Sequence, residues 1–96
     1  MFLKLHISHD SKIVAISDED LIGKIFENKD TQLTISEYFY KDKILPEEEI
    51  LKIISDANSI NAVGKETIEF LIKNKIVEKE NIIKIENIPH AIVILK

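Results

Sequence analysis

Residues 3–7 alternate, with Leu3, Leu5 and Ile7 apolar and Lys4 and His6 polar. That period of two predicts a strand with one wet face. Ser8-His9-Asp10-Ser11 is a polar turn, and Lys12-Ile13-Val14-Ala15-Ile16 beyond it is apolar almost throughout, as suits a more central strand. Two strands joined by four polar residues predict a hairpin. Ser17-Asp18-Glu19-Asp20 predicts a single helical turn, capped by Ser17 or Asp18 and with its acids at the positive end of the dipole. Leu21 and Ile22 would dock that turn on the sheet, and Gly23 would end it. Residues 24–27 and 31–35 predict a second hairpin turning through Asn28-Lys29-Asp30. Glu37-Tyr38-Phe39-Tyr40 is an aromatic cluster with no clear period.

The second half opens with helical signals. Pro46 suits a helix start, and Glu47, Glu48 and Glu49 fill a first turn where carboxylates face the dipole favourably. Ile50, Leu51, Ile53, Ile54 and Ala57 then form an apolar stripe at helical spacing. The stripe ends at Asn58-Ser59-Ile60-Asn61, and a second helix is expected from about Gly64 to Lys73, with Ile68, Leu71 and Ile72 inward. Its exit calls for a left-handed residue, for which Asn74 is a better candidate than Lys75. Residues 82–85 and 91–95 predict two final strands around Asn87-Ile88-Pro89-His90, which leaves His90 at the mouth of the last one. Strands, a central helix pair and strands again predict an α+β fold with a largely antiparallel sheet.

Composition narrows the chemistry. At 96 residues the chain holds one domain, residues 1–96, and twenty isoleucines supply its core. Cysteine is absent, which excludes disulfides, thiolate zinc sites and cysteine nucleophiles. All thirteen basic residues are Lys, and the net charge is −4. Residues 1–45 carry six Lys against eight acids and residues 46–96 carry seven against nine, so neither end is a basic or acidic tail. No apolar run reaches the ~20 residues of a membrane span, and the start lacks the layout of a signal peptide. A cytoplasmic protein is expected.

Four features are candidates for function. Gly23-Lys24 and Gly64-Lys65 are the two glycine turns of a glycine-poor chain. Each is first a place where a side chain does not fit, and second an anion contact through exposed amides and a lysine. Neither has the spaced glycines of a phosphate-binding fingerprint. Asn58 and Asn61 suit caps where one helix ends and another begins; alternatively their amides read a base edge or a peptide backbone. Of Tyr38, Phe39 and Tyr40, one belongs to the core, and an exposed remainder, Tyr38 or Tyr40, is a surface for stacking or a protein partner. His90 after Pro89 is a structural histidine by default and a weak catalytic candidate as general acid or base. The three histidines have no metal-ligand spacing, and no metal or cofactor is expected.

Leu3-Lys4-Leu5-His6, Leu21-Ile22-Gly23-Lys24, Phe39-Tyr40, residues 47–61, Val63-Gly64-Lys65, Glu80-Asn81-Ile82 and Pro89-His90-Ala91 together resemble the small archaeal proteins of domain of unknown function 424, nearly end to end. Two positions depart from that pattern: Ile92 stands where a polar residue, often Gln, is expected, and Lys75 where Gly is usual. The resemblance implies an archaeal source and one compact α+β domain, supplies no established reaction, and points toward the translation apparatus. The expectation is a non-enzymatic binding module with a protein or ribonucleoprotein partner, direct RNA contact being weakly supported. One rival is a small enzyme on a nucleotide or RNA, with His90 as acid–base and Asn58, Asn61 and Lys65 as substrate contacts. The other is a homo-oligomer paired through an edge strand.

Overall fold

A computed structural model describes residues 1–96. The chain runs β1 (Phe2–Ser8), β2 (Ser11–Ser17), a 3-10 turn at Glu19–Leu21, β3 (Ile25–Glu27), β4 (Gln32–Thr34), α1 (Glu37–Tyr40), β5 (Lys43–Ile44), α2 (Glu47–Ser55), β6 (Ser59–Val63), α3 (Lys65–Lys73), a 3-10 turn at Lys79–Asn81, β7 (Ile83–Ile85) and β8 (Ile88–Ile94). Six strands form one sheet in the order β5-β1-β2-β6-β8-β7, and β3-β4 is a separate hairpin. Only β2 and β6 pair in parallel, so the fold is α+β with a mostly antiparallel sheet, as expected. A parallel pair needs a long crossover, and α2 lies within the one between β2 and β6.

The expected helix junction at Asn58–Asn61 is corrected: α2 and α3 are separated by β6, an inner strand of the sheet. Ile60 and Ala62 point to the helix side while Asn61 and Val63 point to the other, a period of two that the flanking Asn and Ser residues disguise as a turn. His90 is also corrected, from the mouth of the last strand to its third residue, because β8 begins directly after the two-residue turn Glu86-Asn87. Both residues of that turn have positive φ, as do His9 and Asp10 in the β1–β2 hairpin, so polar residues here do what Asn-Gly does elsewhere.

The sheet has two faces of different completeness. On one, α2 and α3 lay Ile50, Ile54, Ile68 and Leu71 over Leu3, Val14, Ile16, Ile60 and Ala62 in a fourteen-residue core. Each fully buried isoleucine contributes roughly 1.5–3 kcal/mol. On the other, Leu21, Leu33, Ile35 and Tyr40 cover Ala15, Val63 and Ile85 in a second cluster of seven. The segment from the first 3-10 turn to α1 thus closes only one end of that face.

Helix α3 ends in a Schellman motif, with Lys75 N–H donating to Ile72 O at 3.0 Å and Ile76 N–H to Leu71 O at 2.9 Å. The left-handed residue is Lys75 (φ 60°), not Asn74 as expected; Asn74 stays at φ −93° and its amide donates to Phe70 O. A side chain in that conformation costs on the order of 1 kcal/mol. Lys75→Gly is therefore expected to raise the melting temperature by about 4–8 °C, whereas Asn74→Gly should lower it. Thermal unfolding of both variants checks this, and a lower melting temperature for Lys75→Gly would contradict it.

Candidate functional site

Asp18 begins the first 3-10 turn, but its side chain does not cap that turn as expected. Its carboxylate crosses to the start of α3. There Oδ2 accepts from Glu66 N–H at 3.1 Å, and Oδ1 accepts from Thr67 N–H and from the Thr67 hydroxyl, each at 2.8 Å. The positive end of α3 already holds an anion, supplied by the chain itself. This also explains Gly64. At φ 111° it favours glycine, and a Cβ there would fall 2.2 Å from Asp18 Cγ. Around Gly64-Lys65 the N–H groups of Glu66 and Thr67 are committed to Asp18, and that of Gly64 donates to Pro89 O at 2.9 Å.

The other glycine turn is likewise closed by its own bonds. Gly23 N–H donates to Ile35 O at 2.7 Å, and Lys24 N–H to Leu21 O at 3.1 Å. Gly23 has φ 87° with open space where a Cβ would stand, so backbone conformation is what selects glycine there. Lys24 and Lys65 remain exposed.

Asn58 ties three strands. Its Oδ1 accepts from Lys12 N–H at 2.7 Å, its N–H donates to Lys12 O, and its carbonyl accepts from Leu95 N–H. Both of its carbonyl oxygens are used in holding these strand ends together.

Three of the sequence candidates do converge. Asn61 Oδ1 accepts from the Tyr40 hydroxyl at 3.0 Å and from His90 Nε2–H at 3.0 Å. An amide oxygen only accepts, so this pair of bonds fixes the proton on His90 Nε2 and leaves a lone pair on Nδ1. Tyr40, 3% exposed, is the core member of the aromatic trio, and burial pushes its phenol up to about 12. Burial holds the half-buried His90 imidazole below its ordinary 6.5. Tyr38 is 79% exposed, with the Lys4 ammonium 4.4 Å from its ring centroid, and Phe39 stacks on His6 at 4.5 Å.

His90 and Asn61 face the side of the sheet opposite α2 and α3, while Lys65 lies on the helix side in a groove with Ile68 and Pro89. The substrate contacts that the enzyme reading requires do not meet in one cavity. Register shows what surrounds His90 instead. At the open end of its face stand His6 and Ser8 of β1, Ser11 and Ile13 of β2, Ser59 and Asn61 of β6, Ile92 and Ile94 of β8, and Ile83 of β7. None of these carries a fixed charge, and the one fixed charge on the same face of β1 and β2 is Lys4, in the row of Asn61 and Ile92, whose ammonium lies over the Tyr38 ring. Ile83, Ile92 and Ile94 are 61%, 61% and 75% exposed. This patch was hidden in the sequence, because which face each isoleucine joins depends on a strand order that periodicity does not contain.

The family model described as Protein of unknown function (DUF424) matches residues 6–95. The chain belongs to that family. No curated protein matches it at a significant level. A DUF424 chain of this fold is similar to the crystal structure of an uncharacterized conserved protein from Methanopyrus kandleri, at 24% identity and a TM-score of 0.80, over 99% of this chain and 92% of that one. That likeness shows the fold. No helix in this DUF424 protein is long and apolar enough to cross a membrane.

The lowered His90 value has a consequence for stability. The unfolded chain protonates this imidazole near 6.5, and the folded chain only at lower pH. In the interval between, the unfolded state binds more protons, so the contribution is full above 6.5 and is lost as pH falls through that interval. Urea unfolding at about pH 7.5 and about pH 5 should show a larger loss for the natural chain than for His90→Gln. Equal losses would contradict the assignment.

Proposed function

We propose that this DUF424 protein is a non-enzymatic binding module of a cytoplasmic ribonucleoprotein, within the translation apparatus, and that it docks a protein partner on the open end of its sheet. The observation that carries this is the uncharged patch around Ile83, Ile92 and Ile94, in a chain of which 31% of residues are charged. Single exposed isoleucines are ordinary, but three on two neighbouring strands of one sheet face are a grouping that calls for a contact partner. Charged residues are depleted at the centres of protein interfaces, and this patch meets that condition. A phosphate backbone would need several cations, and this face offers only Lys4, which is engaged with Tyr38. The partner is accordingly a protein with an apolar, uncharged surface, and the Asn61 amide and His90 Nδ1 at the margin supply polar contacts to its backbone.

The test uses the natural chain and the double variant Ile92→Glu/Ile94→Glu, each sedimented through a gradient of host lysate with and without nuclease. The natural chain should migrate with a ribonucleoprotein particle and the variant should stay at the top, with its melting temperature within about 2 °C of the natural value, as for exposed sites. The reading fails if the natural chain stays at the top, or if both migrate alike. Sedimentation equilibrium of the purified protein adds a second arm: a dimer abolished by the double substitution would assign the patch to a second copy of the chain and overturn the partner reading.

A further inference from the structure

On the opposite side of the sheet, α3 and the segment leading into β8 enclose a groove of about 650 Å³. Its floor is apolar, formed by Ile68, Ile72, Ile82 and Pro89, and its walls carry Lys65, Lys79 and Lys84. Glu69 is the one carboxylate among its lining residues, and Asn87 adds an amide at the hairpin turn. None of the three lysines makes an ion pair; the ion pairs of the molecule are Met1 with Glu19, Lys12 with Asp56 and Lys73 with Glu47. A chain of net charge −4 thus concentrates three unpaired cations around one apolar floor.

The position of Lys65 sharpens the point. It is the first residue of α3, where a cation opposes the helix dipole and acids are favoured. Local stability does not select lysine there. Lys84, on the edge strand β7, also discourages strand pairing, but that role is not open to Lys65 on a helix. What the lysines share is the groove.

We infer that this groove binds a nucleoside phosphate, with the phosphate among Lys65, Lys79 and Lys84 and the base against the floor of Ile68, Ile72, Ile82 and Pro89. The volume lies in the range of small-molecule sites, and an apolar floor with a few polar groups on its rim is the usual construction of one. A base packs its apolar face against such a surface without sequence preference, and Asn87 offers an amide to its edge. The nucleoside phosphate comes from either a free nucleotide or an RNA strand. This inference does not depend on the protein-docking surface, which occupies the other face.

Fluorescence anisotropy with a labelled RNA oligonucleotide of about ten residues tests it, with adenosine monophosphate and a polyglutamate peptide as competitors. One phosphate neutralised among the three lysines predicts a slope of about −0.7 for log affinity against log salt. Lys65→Glu and Lys84→Glu should each weaken binding by about tenfold, while Ile92→Glu leaves it unchanged, so this inference and the docking reading fail separately. Competition by adenosine monophosphate at the oligonucleotide's own affinity supports the free nucleotide as the source; competition only by strands supports RNA. Because the three lysines are exposed, their reversal leaves folding intact, and melting temperatures no lower than that of the natural chain verify it. The inference is overturned by the absence of salt-dependent binding, by charge reversals without effect, or by polyglutamate competing as well as RNA.

Discussion

The carboxylate of Asp18 is the contact on which the arrangement depends. It leaves the end of β2 and takes two backbone N–H groups and one hydroxyl at the start of α3, residues nearly fifty positions later in the chain. Charge-assisted bonds of this kind are roughly twice as strong as neutral ones. They pin the amino end of α3 against the sheet, so that Ile68 and Leu71 meet the strands below. They also require a residue without a Cβ at position 64. One side chain therefore sets the helix position, selects the glycine, and occupies the anion site that the Gly64-Lys65 turn would otherwise have offered.

With that end of α3 filled, the chemistry of the molecule moves outward to two surfaces on opposite faces of one sheet. On the helix side, Lys65 escapes the turn and joins Lys79 and Lys84 around an apolar groove. On the other side, the segment from residue 19 to residue 40 covers only the end of the face where Ala15, Val63 and Ile85 lie. Its last residue, Tyr40, reaches the boundary and orders Asn61 and His90 there. Beyond that boundary the sheet presents isoleucines to solvent.

Much of the fold was legible because local periodicity and tertiary structure agreed. The alternation of residues 3–7, the polar turn at His9-Asp10 and the stripes of α2 and α3 each imposed one solution, and the two hairpins followed from turn residues. The site was less legible. Tyr40, Asn61 and His90 were each visible as unusual residues, but their meeting depends on β6 lying between β2 and β8, and Ser59 and Asn61 read as breakers in a strand that tertiary pairing holds extended. Asp18 was read as a local cap because a cap is a short-range rule, and its distant partner leaves no periodic trace. Lys75 was missed for a related reason: Asn74 has the better left-handed propensity, but the Schellman bonds place the positive φ one residue later.

A double-mutant cycle between Asp18 and Gly64, followed by urea unfolding, tests the dependence on Asp18 most directly. Asp18→Ala strands three donors and should cost about 2–4 kcal/mol. Gly64→Ala should cost more in the natural chain than in the Asp18→Ala background, because removing the carboxylate also removes the 2.2 Å collision and leaves only the backbone strain. The predicted coupling is about 1 kcal/mol or more between the two sites. Additive costs, or an Asp18→Ala variant as stable as the natural chain, would contradict the account.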